Sequence, residues 1–244
     1  MSLFTPLIWL LVMSPIFIIA FFKSKKGNLK FLLLFIILFL VDNYLQIFSK
    51  ELIPNIMGLK FAWVGKFLSL ALSLGFIFYV DKNERKEIGF TTSTNTKSQV
   101  KYGVLVFLGF LIFDFIFKLI LFPKGGAFDM ETFAFQATMP GLTEELLYRG
   151  IYFWIFDKVF LPNWNFKGIQ FGWGFVIVTL LFAIGHGIVL TADHQFKFDI
   201  VTIVYLTLIS SLSVGILRKC TGNLIYPILG HNVINVMNAI IRIL

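Results

Sequence analysis

Runs of apolar residues, separated by short polar connections, recur along the whole chain. Most of these runs are long enough to form a helix that crosses the hydrocarbon core of a bilayer. The pattern therefore predicts an all-α fold, a polytopic membrane helical bundle of about eight transmembrane helices. The predicted spans are residues 7–22, 31–48, 61–80, 102–122, 132–159, 172–190, 200–217 and 224–243.

The polar segments contain turn signals and helix-start signals. Residues 81–99 form the longest polar stretch and predict a loop with a short helix at the membrane surface. The Pro-Lys-Gly-Gly sequence at residues 123–126 ends the fourth span. Within the fifth span, Pro140 and Gly141 predict a kink or a fresh helix start, with Thr143 as its cap and the following glutamates in its first turn.

The composition excludes an ordinary soluble domain. Hydrophobic residues make up 58% of the 244 residues and charged residues only 14%, more apolar surface than a soluble core can use. The net charge of +8 favours contact with the anionic head groups of a lipid bilayer. No basic stripe with interleaved aromatic residues lies outside the spans, so we expect no nucleic-acid partner.

Two further features limit the possible topologies and sites. Basic residues concentrate in the connections after the first, third, fifth and seventh spans, which predicts that both termini lie outside the cell. Cys220 is the only cysteine, which excludes a disulfide framework and a thiolate metal site.

Three ionisable residues interrupt the apolar sequence of the fifth span. Glu144, Glu145 and Arg149 have aromatic and aliphatic flanks, and an unpaired charge at membrane depth is costly. On a helix Glu145 and Arg149 are one turn apart and can pair, while Glu144 is rotated by about 100° from Glu145. We therefore predict that Glu144 faces a cavity. The alternative is a structural ion-pair cluster between packed helices.

Two other spans carry polar side chains with helical spacing. In the sixth span Phe182 lies one turn before His186, so its ring can pack against the imidazole. In the eighth span His231, Asn235 and Asn238 form one polar stripe. Each of these residues can also act as hydrogen-bonding glue between helices. However, burial of polar and ionisable side chains within a membrane costs free energy. Packing alone therefore does not explain a carboxylate, two imidazoles and an amide on three spans.

Such a set of side chains can activate water. The carboxylate can act as general base, one histidine can share the water, and the second histidine with an amide can donate to an oxyanion. Alternatively, Glu144, His186 and His231 hold a zinc ion with an open position for water. The sequence lacks the HExxH zinc signature, a nucleophile elbow, a phosphate loop and a dinucleotide fingerprint.

The three motifs resemble those of the CPBP family. Glu-Glu-x-x-x-Arg beginning at Glu144, Phe-x-x-x-His beginning at Phe182 and His-x-x-x-Asn beginning at His231 follow in the family's order on apolar spans. This family comprises the CAAX prenyl endopeptidases and the bacterial Abi proteins of bacteriocin processing and self-immunity. The resemblance covers roughly residues 140–238, whereas the first four spans match in hydropathy only.

The resemblance implies an eight-span, glutamate-type intramembrane endopeptidase from a family often described as metalloproteases. It implies that Glu144 is the water-activating base, that His186 is its partner, and that His231 with Asn235 lies at the oxyanion. Glu145, Arg149 and Phe182 have supporting positions.

We expect a membrane-embedded hydrolase that cleaves peptide bonds of membrane-associated protein or peptide substrates. Residues 1–122 are interpreted as four N-terminal helices and residues 123–244 as a four-helix catalytic core within one membrane domain. The Lys-, Phe- and Ile-rich composition indicates a bacterial cell membrane. The rival interpretation is a non-catalytic self-immunity or peptide-binding protein that uses the same cavity. A small transporter is disfavoured, because the two halves show no related discontinuous helices.

Overall fold

The computed structural model describes residues 2–52, 58–121, 124–191 and 193–244. Almost all regular structure in these residues is helical, which confirms the predicted all-α membrane bundle. Phe122 and Pro123, where the predicted division of the chain falls, lie outside the described residues.

Helices lie in every predicted span. In the described part of the first half they are α1 (Thr5–Lys23), α2 (Lys30–Leu52), α3 (Trp63–Tyr79), α4 (Lys82–Ile88) and α5 (Lys97–Leu121). In the second half they are α6 (Met130–Gln136), α7 (Met139–Glu144), α8 (Phe153–Val159), α9 (Trp173–Gly187), α10 (Ile200–Tyr205), α11 (Leu212–Thr221) and α12 (Ile225–Ile243). One π-helical segment (Glu145–Tyr152) joins α7 to α8, and another (Leu206–Ser211) joins α10 to α11.

Four of the described helices are individually long and apolar enough to cross a membrane. They are Thr5–Lys23, Lys30–Lys50, Lys97–Leu121 and Ile200–Thr221, while α3 and α9 are apolar but shorter. The short α4 lies in the predicted surface loop and confirms the helix expected there. The Asp81 carboxylate caps its start, and Gly89, with φ of +91°, ends it.

The predicted fifth span, residues 132–159, is not one helix. α6 ends at Gln136, and a new helix begins at Met139. Pro140 lies in the first turn of that helix, where its missing N–H group has no helical partner to lose. The fresh helix start is therefore confirmed, and it divides the predicted span into two pieces.

The predicted cap of this helix is wrong. The Thr143 hydroxyl donates to the Met139 carbonyl oxygen at 2.8 Å, so it bonds to the preceding turn instead of capping a backbone N–H group. The helix has already begun at Met139, and Glu144 and Glu145 lie beyond its first turn. Glu144 consequently lies at the end of the short helix α7, directly before the π-helical segment, and not at the middle of one long helix.

Short antiparallel strand pairs, which the hydropathy pattern did not predict, connect helix ends. They are too short to show a period in the sequence, and the first pair ties the end of α1 to the end of α8. The pairs are β1 (Lys25–Lys26) with β2 (Phe160–Leu161), β3 (Trp164–Phe166) with β4 (Ile169–Phe171), and β5 (Ile188–Leu190) with β6 (Phe196–Phe198).

An aromatic core holds α2 against the helix that carries the glutamates. Phe35 stacks on Phe39 with ring centroids 5.5 Å apart, and it also contacts Tyr152 at 5.0 Å and Phe156 at 4.6 Å. All four side chains are almost fully buried. Aromatic pairs of this kind contribute about 0.5–1.5 kcal/mol each beyond burial. The N-terminal helices thereby fix the helix that continues from Glu144.

Gly141 allows α7 to pack closely against α12. A Cβ atom at this position would lie 2.6 Å from the Ile228 carbonyl oxygen, a backbone atom that cannot easily move. We expect Gly141→Ala to lower the free energy of unfolding by about 1–3 kcal/mol, the usual cost of overpacking. A lower Tm in detergent micelles measures this loss.

Gly109→Ala is the matched control for Gly141→Ala. A Cβ atom at Gly109 meets no atom within 4 Å, and alanine is the better helix former. The Tm of this variant should equal or exceed that of the wild type. Equal Tm values for Gly141→Ala and the wild type would contradict the close contact between α7 and α12.

Candidate active site

A cavity of about 270 Å³ lies among α3, α6, α7, α9, α10 and α12. The structure brings all four residues that were predicted to be catalytic, Glu144, His186, His231 and Asn235, to its wall. They come from three helices that are far apart in the sequence. The other lining residues are Lys66, Phe135, Gln136, Pro140, Phe182, Tyr205, Ser210, Ile234 and Asn238.

Glu144, the last residue of α7, presents its carboxylate to this cavity. Oε1 accepts a hydrogen bond from the Lys66 ammonium at 2.7 Å. Oε2 lies 3.9 Å from Nε2 of His186 and 3.9 Å from Nε2 of His231. Both separations are too long for a direct hydrogen bond, and they suit a bridging water molecule. The two imidazoles thus converge on a single oxygen of Glu144.

His186 lies in the last turn of α9, and its own helix orients the ring. Nδ1 is 2.8 Å from the Phe182 carbonyl oxygen. A carbonyl oxygen only accepts, so Nδ1 carries the proton and the neutral ring presents the lone pair of Nε2 to Glu144. The Phe182 ring packs against the imidazole with centroids 4.5 Å apart. The one-turn spacing in the sequence therefore corresponds to a real contact.

His231 is buried in α12, and Glu145 orients its ring. Nδ1 lies 2.7 Å from Glu145 Oε1. Because a carboxylate accepts the hydrogen bond, Nδ1 carries the proton and Nε2 faces Glu144. A carboxylate at this position fixes the tautomer and stabilises positive charge on the ring, as in the histidine–carboxylate pairs of hydrolases.

Arg149 supports both imidazoles from behind the cavity. Its Nε lies 3.5 Å from Glu145 Oε2, and the two side chains are 1% and 0% exposed. Its guanidinium also lies 4.4 Å from the centroid of the Phe182 ring. Nη2 donates to the carbonyl and hydroxyl oxygens of Ser211 at 3.3 and 3.0 Å. The predicted pairing of Glu145 with Arg149 is therefore present.

The polar stripe of α12 continues along the cavity wall. Asn235 lies one turn after His231, which places its amide on the same face of the helix. Asn238 also lines the cavity, and its buried Oδ1 has no hydrogen-bond partner within the described ranges. This wall can therefore accept a hydrogen bond from water or from a peptide N–H group.

The prediction from sequence missed the contribution of the first half of the chain. Lys66 reaches Glu144 from α3, and its position as the only charged residue in that helix was the signal that could have identified it. A second cavity, of about 180 Å³, shares Lys66, Glu144 and His186 with the first. Asp42 lines this second cavity, where its carboxylate accepts a hydrogen bond from Ser69.

The alternative of a zinc ion held by Glu144, His186 and His231 stays a prediction. Within the part of the chain that the structure describes, no group of three or more His, Cys, Asp or Glu side chains could hold a metal ion. Glu144 is paired with the ammonium of Lys66, and a cation at this distance would repel a divalent ion.

The comparison with protein families agrees with the geometry of the cavity. Residues 126–237 match the family model of the type II CAAX prenyl endopeptidase Rce1-like proteins. The matched region contains Glu144, His186, His231 and Asn235. No curated protein and no solved structure matches the chain. Over residues 126–237, which are less than half of the chain, this membrane protein is similar to the CAAX-type intramembrane proteases of the CPBP family.

Proposed function

We propose that this protein is an endopeptidase in which Glu144 activates a water molecule for attack on a peptide carbonyl. The observation that carries the proposal is the convergence of Glu144 Oε2 with Nε2 of His186 and Nε2 of His231, each 3.9 Å away. These atoms meet in a cavity within an apolar helical bundle. A water molecule at their meeting point donates one hydrogen bond to Glu144 and the other to His186.

The first step forms the bond between the water oxygen and the carbonyl carbon. Glu144 removes a proton from the water as its oxygen attacks, and the carbonyl π electrons move onto the carbonyl oxygen. His186 keeps the other water proton in a hydrogen bond, which directs the lone pair of the water toward the substrate. The product of this step is a tetrahedral oxyanion.

His231 and Asn235 stabilise the oxyanion. In the proposed reaction His231 holds a proton on each ring nitrogen throughout, so that Nδ1–H donates to the Glu145 carboxylate and Nε2–H donates to the oxyanion. The amide of Asn235, one helical turn away, supplies a second donor. Removal of one such preorganised donor raises the activation free energy by about 2.7–4 kcal/mol in enzymes that use them.

The second step breaks the peptide bond. Glu144 returns the proton to the amide nitrogen as the C–N bond breaks and the carbonyl re-forms. The products are a peptide with a new carboxyl terminus and a peptide with a new amino terminus. One water molecule is consumed, and the side chains return to their initial protonation states.

We propose a membrane-associated peptide or protein as the substrate and the cell membrane as the location. The matched family takes its name from endopeptidases of prenylated CAAX proteins. An apolar groove of about 880 Å³ between α5 and α10 includes Tyr205, which also lines the catalytic cavity. This groove can accept a lipid chain or an apolar segment while the scissile bond lies in the cavity. In a bacterium, the substrates would be peptide precursors or bacteriocins.

Glu144→Gln removes the proposed base and keeps the size of the side chain. We expect kcat to fall by about 10³-fold or more, because proton transfer by a positioned base contributes about 10²–10⁴-fold. The measurement uses purified protein in detergent and two internally quenched peptides with the same CAAX-type tail. One peptide carries an S-farnesyl group on its cysteine, and the other does not.

Glu87→Gln is the matched control, because Glu87 also pairs with a lysine, Lys158, at 2.6 Å, but lies outside the cavity. This variant should keep the wild-type kcat. Equal cleavage by wild type and Glu144→Gln would contradict the proposal. So would a wild-type protein that cleaves neither peptide and produces no cut in the membrane proteome that is absent with Glu144→Gln.

Glu145→Gln weakens the support of His231 without removing the base. We expect kcat to fall by about 10–100-fold, the usual cost of losing a carboxylate that orients a functional histidine. The loss should be smaller than that of Glu144→Gln, and KM should change little. The Tm should also fall, because Arg149 loses its buried partner. A kcat equal to that of the wild type would show that His231 acts independently of Glu145.

Removal of metal ions tests whether the side chains of the cavity catalyse the hydrolysis without a metal ion. The ammonium group of Lys66 already forms an ion pair with the Glu144 carboxylate. We therefore expect full activity after dialysis against 1,10-phenanthroline. The rate of cleavage of the quenched peptides, before and after dialysis, measures this. A loss of activity that added Zn²⁺ restores would show that the reaction uses a metal ion.

A further inference from the structure

Lys66 brings a positive charge to the proposed base from a helix that precedes the matched residues 126–237. Its Nζ lies 2.7 Å from Glu144 Oε1, and the two side chains are 15% and 17% exposed. A pair this far buried is screened less by water and salt than a pair at the surface. The contact therefore constrains Glu144 more strongly than an ordinary surface salt bridge does.

The two oxygens of the Glu144 carboxylate have different partners. Oε1 is bonded to Lys66, while Oε2 lies at equal distances from Nε2 of His186 and of His231. The terminal torsion of a glutamate side chain is soft, so the carboxylate does not hold one orientation by itself. With Oε1 held by the ammonium group, Oε2 remains directed at the imidazoles.

Close packing of α2 and α3 places Lys66 beside Glu144. A Cβ atom at the preceding residue, Gly65, would lie 2.6 Å from Ser49 Oγ of α2, so a glycine permits the approach of the two helices. One turn later the Ser69 hydroxyl donates to the Asp42 carboxylate of α2. These contacts fix the rotation of α3, and with it the face from which the ammonium group extends.

We infer that Lys66 is a positioning residue for the proposed hydrolysis: it holds Oε1 of Glu144 so that Oε2 meets the water between the two imidazoles. This inference rests on the proposed function and extends its machinery to α3. Lys66 acts through Glu144 and not on the substrate. Its removal should therefore change the turnover of bound substrate and not the binding of substrate.

The kinetic test compares Lys66→Met with Lys219→Met. We expect Lys66→Met to lower kcat by roughly 10- to 100-fold, the scale of a small misplacement of a reacting group, with KM within about twofold of the wild type. Lys219 is the matched control because it also pairs with a carboxylate, Asp157, at 2.5 Å and with 11% exposure, outside both polar cavities. Lys219→Met should keep the wild-type kcat and KM.

Chemical rescue separates positioning from a general structural role. Lys66→Ala leaves space for a small amine, and propylammonium carries the missing atoms of the lysine side chain. We expect propylammonium to restore part of the lost kcat, and tetramethylammonium, which has no N–H donor, to restore none. A loss of activity caused by misfolding would not respond to either ion.

A double-mutant cycle tests the contact without any substrate. The Tm changes of Lys66→Met and Glu144→Gln should not add in the double variant, because the two residues interact directly. Additive Tm changes would overturn the inference, whether or not the protein cleaves the peptides. A wild-type kcat for Lys66→Met, in a protein that Glu144→Gln inactivates, would overturn the inference alone. Inactive wild type with non-additive Tm changes would instead refute the proposed function.

Discussion

The buried ion pair of Glu145 and Arg149 is the interaction on which the candidate site depends. Both side chains are out of contact with solvent, and removal of one partner from such a pair typically costs about 3–5 kcal/mol. Glu145 orients the ring of His231, and Arg149 packs on Phe182, whose carbonyl and ring hold His186. The ion pair therefore supports the ring of His231 directly, and it contacts His186 only indirectly, through the ring of Phe182.

A second ion pair, between Lys66 and Glu144, lies at the wall of the cavity. Lys66 and Glu144 bring opposite charges together at the cavity wall, as Arg149 and Glu145 do behind it. Each glutamate is thus compensated within an apolar bundle, where an isolated charge would be costly. The difference lies in the remaining contacts: Glu145 also bonds to His231, while one oxygen of Glu144 is left facing both imidazoles.

The local backbone conformation allows the neighbouring residues Glu144 and Glu145 to make different contacts. Glu145 and Arg149 lie within a π-helical segment that begins directly after Glu144, and such segments are frequent at functional sites because they change the direction of side chains relative to a regular helix. The aromatic contacts of Tyr152 with α2 hold the end of this segment. Rigid packing outside the cavity thereby supports the reactive groups inside it.

The sequence by itself determined the all-α class, the pairing of Glu145 with Arg149 and the polar stripe that begins at His231, because these follow from periodicity and from the cost of burying charge. Only the tertiary structure decided the contact of Lys66 with Glu144, the break before Met139 and the π-helical geometry. These features depend on which distant segments pack together, and local residue patterns do not contain that information.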